Sequence, residues 1–210
     1  MTPCVDSFAK ELGVKTMQMH GSSLRIIREE HWALAAMLKS SRMMVERGPR
    51  EDRQAFFEVL RAMLLYMDEF PERLHHPKET ELLFPRVVRV APETALAVAR
   101  LDQDHVFTER AVQQLMRLLV AWEMLGDTRR ETFTTTFYRY VDLYLEHMRM
   151  EETEILPVAK KHFTPEDWAE LDAAFEANRD SISGQKAPEQ EYEALFARIL
   201  QMAPAPIGLR

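Results

Sequence analysis

The stretch HMRMEETEILP at residues 147–157 decides the fold, because it restates HHPKETELLFP at residues 75–85. At one constant offset His75 falls on His147, Glu79 on Glu151, Leu83 on Ile155, Phe84 on Leu156 and Pro85 on Pro157. Each copy has a histidine, a glutamate four residues on and a proline six residues after that. On an α-helix, residues four apart share a face about one turn apart, so each copy aims an imidazole and a carboxylate in one direction. One such pair alone reads as an exposed ion pair or a capped core histidine. Two copies in one register, each on an apolar run ahead of a proline, read as paired metal-binding arms.

Working outward, the apolar periodicity predicts four long helices. Ser22 and Ser23 offer a cap to the first, which carries Leu24, Ile27, His31, Leu34 and Leu38 on one stripe and stops at Gly48-Pro49. The second starts near Arg50, carries Phe56, Leu60, Met63, Leu64 and Met67, and meets Pro71, where a kink or interruption is expected. The third runs from about Pro92 through His105, Val112, Leu115 and Leu119 to Gly126-Asp127. The fourth starts near Arg130 and carries Phe133, Phe137, Tyr140, Val141 and Tyr144 into the second motif. The intervals from His31 to His75 and from His105 to His147 are 44 and 42 residues, so the two hairpins have nearly equal arms. An all-α, up-down-up-down four-helix bundle then holds His31, His75, His105 and His147 at similar height.

Residues 1–21 read as an N-terminal tail, 22–160 as the bundle, and 161–210 as a C-terminal extension of accessory helices and tail. Thr164-Pro165-Glu166-Asp167 resembles a capped helix start, and Tyr192, Leu195, Phe196, Ile199 and Leu200 mark a last amphipathic segment. NRDSISGQKAPEQ at 178–190 reads as the loop between them, and APAPIGLR at 203–210 as the closing tail.

Composition narrows the function. With 210 residues, 46% of them hydrophobic, the chain can bury the core of one domain. Apolar runs such as AMLLYM at 62–67 are too short to span a bilayer, and the N-terminus lacks a signal peptide's basic-then-apolar plan, so the cytoplasm is expected. A lone cysteine, Cys4, excludes an internal disulfide and a thiolate metal cage. A net charge of -7 without a long basic run argues against nucleic acid and anionic membranes as partners.

His31, His75, His105 and His147 supply four imidazoles and Glu79 and Glu151 two carboxylates. Buried charges are costly unless paired, so a metal is their natural partner if the six converge. Two bridging carboxylates, two histidines per metal and a bridging oxygen give each ion of a dinuclear pair five bonds, and mixed imidazole and carboxylate donors suit iron. Zinc fits less well without His-Glu-x-x-His or cysteine clusters. Ferritin-like di-iron sites place Glu before His at a spacing of three, whereas here His precedes Glu at four. The register favours His75 over His76 as ligand, and His20 and His162 read as surface residues. Asp104 and Glu146 read as solvated, and Tyr66, Tyr140 and Tyr144 as packing. Glu109, one turn after His105, either fills a coordination position or pairs with an arginine; the non-ligating reading is preferred.

FPERLHHPKETELLFP and YLEHMRMEETEILP resemble the second- and fourth-helix motifs of the hemerythrin-like, or HHE cation-binding, family, with His31 and His105 in the places of its first- and third-helix ligands. The resemblance covers roughly residues 22 to 160, and the segment from Thr164 looks like an extension found in bacterial members. It implies a four-helix bundle around two iron ions, a non-haem di-iron centre with an oxo or hydroxo bridge, in which Glu79 and Glu151 are the bridging carboxylates. Oxygen-carrying hemerythrins place a second histidine one turn after the third-helix ligand, where this chain has Glu109. The ligand set looks instead like that of di-iron proteins linked to iron-sulphur cluster repair under nitrosative stress, whose cysteine-bearing N-terminal domain is missing here. The implied function is reaction with, or sensing of, O2, a peroxide or nitric oxide. Reversible O2 binding and a structural or iron-storage role are the alternatives. The expected partner is a small diatomic molecule or peroxide, with the redox partner and any oxidoreductase activity left open.

Overall fold

The structure, a computed structural model, describes residues 21–49, 52–182 and 187–203. Its nine α-helical segments among these residues are α1 (Ser22–Arg47), α2 (Arg53–Phe70), α3 (His76–Lys78), α4 (Phe84–Val90), α5 (Ala95–Leu125), α6 (Arg130–Met150), α7 (Leu156–His162), α8 (Pro165–Ile182) and α9 (Ala187–Met202). The chain is all-α over the described residues. None of these helices is long and apolar enough to cross a membrane.

The segments build four rods. The first is α1, and the second joins α2, α3 and α4 through π-helical turns at Pro71–His75 and Glu79–Leu83. The third is α5; the fourth joins α6 and α7 through a π-helical turn at Glu151–Ile155. Each rod packs against two neighbours to close an up-down-up-down bundle. Pro71 therefore opens a wide turn without interrupting the rod. The physical reason lies six residues on: Pro77, Pro85 and Pro157 each stand two residues after a π turn. Proline has no N–H to give and its ring crowds the carbonyl four residues back, and a π turn absorbs both demands without breaking the helix. The equivalent prolines of the repeat thus produce equivalent wide turns, each beginning at the repeated glutamate.

The rods end where the sequence indicates. Gly48 (φ 68°) and Gly126 (φ 88°) take left-handed backbone at the ends of α1 and α5 and donate to Met44 and Trp122 carbonyls. Asp52 caps α2 by accepting from the Ala55 N–H at 2.8 Å. The start of α1 differs from expectation: neither Ser22 nor Ser23 caps it. Asp172 of α8 accepts instead from the Gly21 N–H, the Ser23 N–H and the Ser23 hydroxyl at 2.9, 2.8 and 2.6 Å. A distant carboxylate satisfies the orphan donors and suits the positive helix end.

Two apolar clusters fill the bundle. The larger is centred on Met37, Phe57, Leu60, Leu119, Trp122, Phe133, Phe137 and Tyr140; the smaller on Ile27, Leu83, Phe84, Leu101, Ile155 and Leu156. Trp168, Leu171 and Phe175 of α8 belong to the smaller, and Ile199 of α9 to the larger. Of the 178–190 stretch expected as a loop, the described residues are helical, with α8 reaching Ile182 and α9 beginning at Ala187, while residues 183–186 lie outside the described residues. Residues 1–20, with Cys4 and His20, and the tail beyond Ala203 lie outside the described residues. Between the two apolar clusters runs one buried polar layer, and that layer carries the histidines.

Candidate metal centre

All six residues picked from the motif and its flanking histidines meet in this layer. His31, His75, His105 and His147 are almost fully buried, and Glu79 and Glu151 are 0% exposed. They divide into two nests. In the first, His31 Nε2 lies 3.2 Å from Glu151 Oε2 and 3.9 Å from Glu79 Oε1, while His75 Nε2 lies 3.1 Å from Glu79 Oε1. In the second, His105 Nε2 lies 3.6 Å from Glu79 Oε2, His147 Nε2 lies 3.2 Å from Glu151 Oε1, and the two nitrogens are 3.1 Å apart. Each carboxylate therefore turns one oxygen toward each nest.

The arrangement is a poor hydrogen-bonded core and a good donor set. All four oxygens of Glu79 and Glu151, with Nε2 of His31 and His75, are buried without a hydrogen-bond partner. Such orphans cost roughly 1–3 kcal/mol each, more when charged. Two donors each about 2.1 Å from one ion and at right angles lie about 3 Å apart, close to the shortest separations here. Four donor groups in each nest, His31-His75-Glu79-Glu151 and His76-Glu79-His105-His147, bring their ligand atoms within 4.8 Å of one another. The residues present fit a pair of cations.

The outer nitrogens are held as metal-binding imidazoles usually are. His31 Nδ1 lies 3.1 Å from Glu152 Oε1, His75 Nδ1 2.6 Å from Glu30 Oε2, and His76 Nδ1 2.9 Å from Glu72 Oε2. His105 Nδ1 is 3.0 Å from the Thr80 hydroxyl, which donates to Asp102 at 2.9 Å. His147 Nδ1 faces Asp104 Oδ2 at 3.8 Å, a charge contact too long for a hydrogen bond. Nδ1–H donation fixes the tautomer that leaves Nε2 free to face the centre.

Without metal, protons take the cations' place. Burial opposes charge on His147, but Glu151 and Asp104 outweigh it and push its pKa up to about 10. His75 is likewise raised despite burial by Glu79 and Glu30, and His31 by Glu151 and Glu152. Burial and the neighbouring His147 hold His105 near 3, and burial with His105 keeps His76 neutral as well. Burial and the charge of Glu151 raise Glu79, whereas, against burial, His147 and His31 hold Glu151 low.

Several side chains differ from their sequence reading. His76, which the register ranks below His75 as a ligand, is buried in the second nest. Asp104, expected in solvent, turns inward to His147. Tyr144 packs in the larger apolar cluster as read, and in addition brings its hydroxyl 3.0 Å from His76 Nε2. Tyr66 does pack, between Phe70 and Phe196, Glu146 pairs with Arg149, and His162 is exposed. Glu109 is exposed and joins neither nest. Of the outer carboxylates, only Glu72 left a readable signal, an i, i+4 pairing with His76.

No curated protein matches the chain. The model of the hemerythrin HHE cation-binding domain matches residues 22–159, the span that contains both nests. The chain belongs to the hemerythrin HHE cation-binding domain family.

Proposed function

We propose that the chain holds a dinuclear non-haem iron centre through His31, His75, Glu79, His105, His147 and Glu151, and that this centre reacts with or senses O2, a peroxide or nitric oxide. The observation that carries the dinuclear reading is the split of both carboxylates, with Glu79 Oε1 and Glu151 Oε2 toward one nest and Glu79 Oε2 and Glu151 Oε1 toward the other. Imidazole and carboxylate donors without thiolate suit iron. The nest of His31 and His75 offers four protein donors, fewer than six-coordinate iron accepts, which leaves room for a small exogenous ligand. A cytoplasmic setting, where reductant is available, suits such chemistry.

Stopped-flow absorption of the reduced, iron-loaded chain mixed with O2, a peroxide or nitric oxide tests the reading. Oxidation that persists on degassing, or a nitric oxide adduct formed at low ligand concentration, is the expected outcome. A spectrum that reverses fully when O2 is removed would instead mark a carrier. An iron-loaded chain inert to all three would mark a structural or storage site.

A further inference from the structure

We propose that His76 is a metal donor through Nε2, completing the nest of His105 and His147 with a third imidazole, so that the two cations take five imidazoles split two and three. This rests on the dinuclear reading above. Consecutive residues of a helix point about 100° apart, so adjacent histidines cannot serve one ion from one direction. They can serve two ions on either side of the rod's inward face. His75 faces the first nest, its ring 5.2 Å from that of His31. His76 faces the second, stacked on His105 at 3.9 Å between centroids and 13° between planes, with His147 at 5.5 Å.

Three further observations make His76 a donor rather than filling. It is only 4% exposed, deep in a layer where an unused imidazole would be costly. Its outer nitrogen is fixed by a carboxylate as those of His31 and His75 are, here by Glu72, whose Oε2 also accepts from Thr108 at 3.4 Å. Its inner nitrogen has the Tyr144 hydroxyl as hydrogen-bond partner, a rotatable group able to turn elsewhere when Nε2 binds a cation. The third rod supplies no competing donor, because the residue one turn after His105 is the exposed Glu109. The HH dipeptide is thus where the internal repeat stops being symmetric: His76 ligates, while its counterpart Met148 packs in the apolar core.

Cobalt(II) in the full chain is the probe. Each ligating imidazole then gives one exchangeable, hyperfine-shifted ring N–H signal in the proton spectrum. Five such signals are expected with two cobalt ions bound; four with two ions bound would overturn the assignment of His76 while leaving the dinuclear centre intact. Fewer than two ions bound by the unmodified chain would overturn both. In His76→Ala, uptake of one ion should weaken by at least the roughly 10–100-fold that loss of a supporting partner alone produces, with the other ion unaffected. Uptake of both ions at unchanged affinity would overturn the proposal independently of the spectrum.

Discussion

Glu30 shows how much of the centre depends on residues that touch no cation. Its carboxylate lies 2.6 Å from His75 Nδ1 in a buried position, orienting the ring and raising its basicity. Glu30→Gln keeps the shape but removes the charge, and metal affinity should fall by roughly 10–100-fold. An affinity within twofold of the parent, measured by competition with a chelator, would deny Glu30 this role. Protonation belongs to the same scale. His147 carries a proton below about pH 10 in the metal-free fold, and a cation must displace it. Affinity should therefore rise with pH between 6 and 8, and binding heats should depend on the buffer's ionisation enthalpy because protons are released. Buffer-independent heats would contradict this. The same raised value stabilises the metal-free fold fully below the ordinary 6.5 and progressively less as pH climbs toward 10. Four of the six principal donors were legible because a repeat fixes their register, and His31 and His105 because their intervals to the repeat's histidines are nearly equal. His76 was not, because the repeat pairs it with a methionine, and Asp104 was not, because its partner His147 lies on another rod.

At the scale of elements, rod ends were legible wherever a local signal exists. Gly48 and Gly126 act through their own backbone, so the sequence reveals them, whereas the Asp52 cap on α2 shows only in the structure. The cap on α1 comes from Asp172, about 150 residues away in sequence, and local reading assigns it to Ser22 and Ser23 instead. The wide turns were equally hidden: Pro71 reads as a kink or interruption, and only the folded chain shows the π-helical turns that carry the rod past it. Gly126 offers a clean test of backbone alone. A Cβ there would meet nothing within 4 Å, yet φ is +88°. Gly126→Ala should cost about 1 kcal/mol of unfolding free energy with metal content unchanged, since the cost is purely conformational. A neutral or stabilising result by denaturant melt would contradict the strained geometry.

For the whole molecule, one polar layer between two apolar clusters makes fold and metal interdependent. Helices of the 161–210 extension contribute to both clusters, and Phe175 of α8 stands edge-on to His75 with ring centroids 5.9 Å apart. Sequence patterning marked a capped start at Thr164 and a last amphipathic segment but not what they cover, because the surface they bury exists only after the bundle forms. Cations that bind only the folded chain should raise its stability by about 2.7 kcal/mol at a hundredfold excess over the dissociation constant. Thermal melts with and without iron(II) under anaerobic conditions should separate accordingly, and superimposed melts would contradict the coupling. The carboxylate split makes the number of ions the most direct quantity to measure. Elemental analysis of the chain after anaerobic iron(II) loading and desalting should give two irons per chain, and a count that stays at one or below would contradict the dinuclear centre.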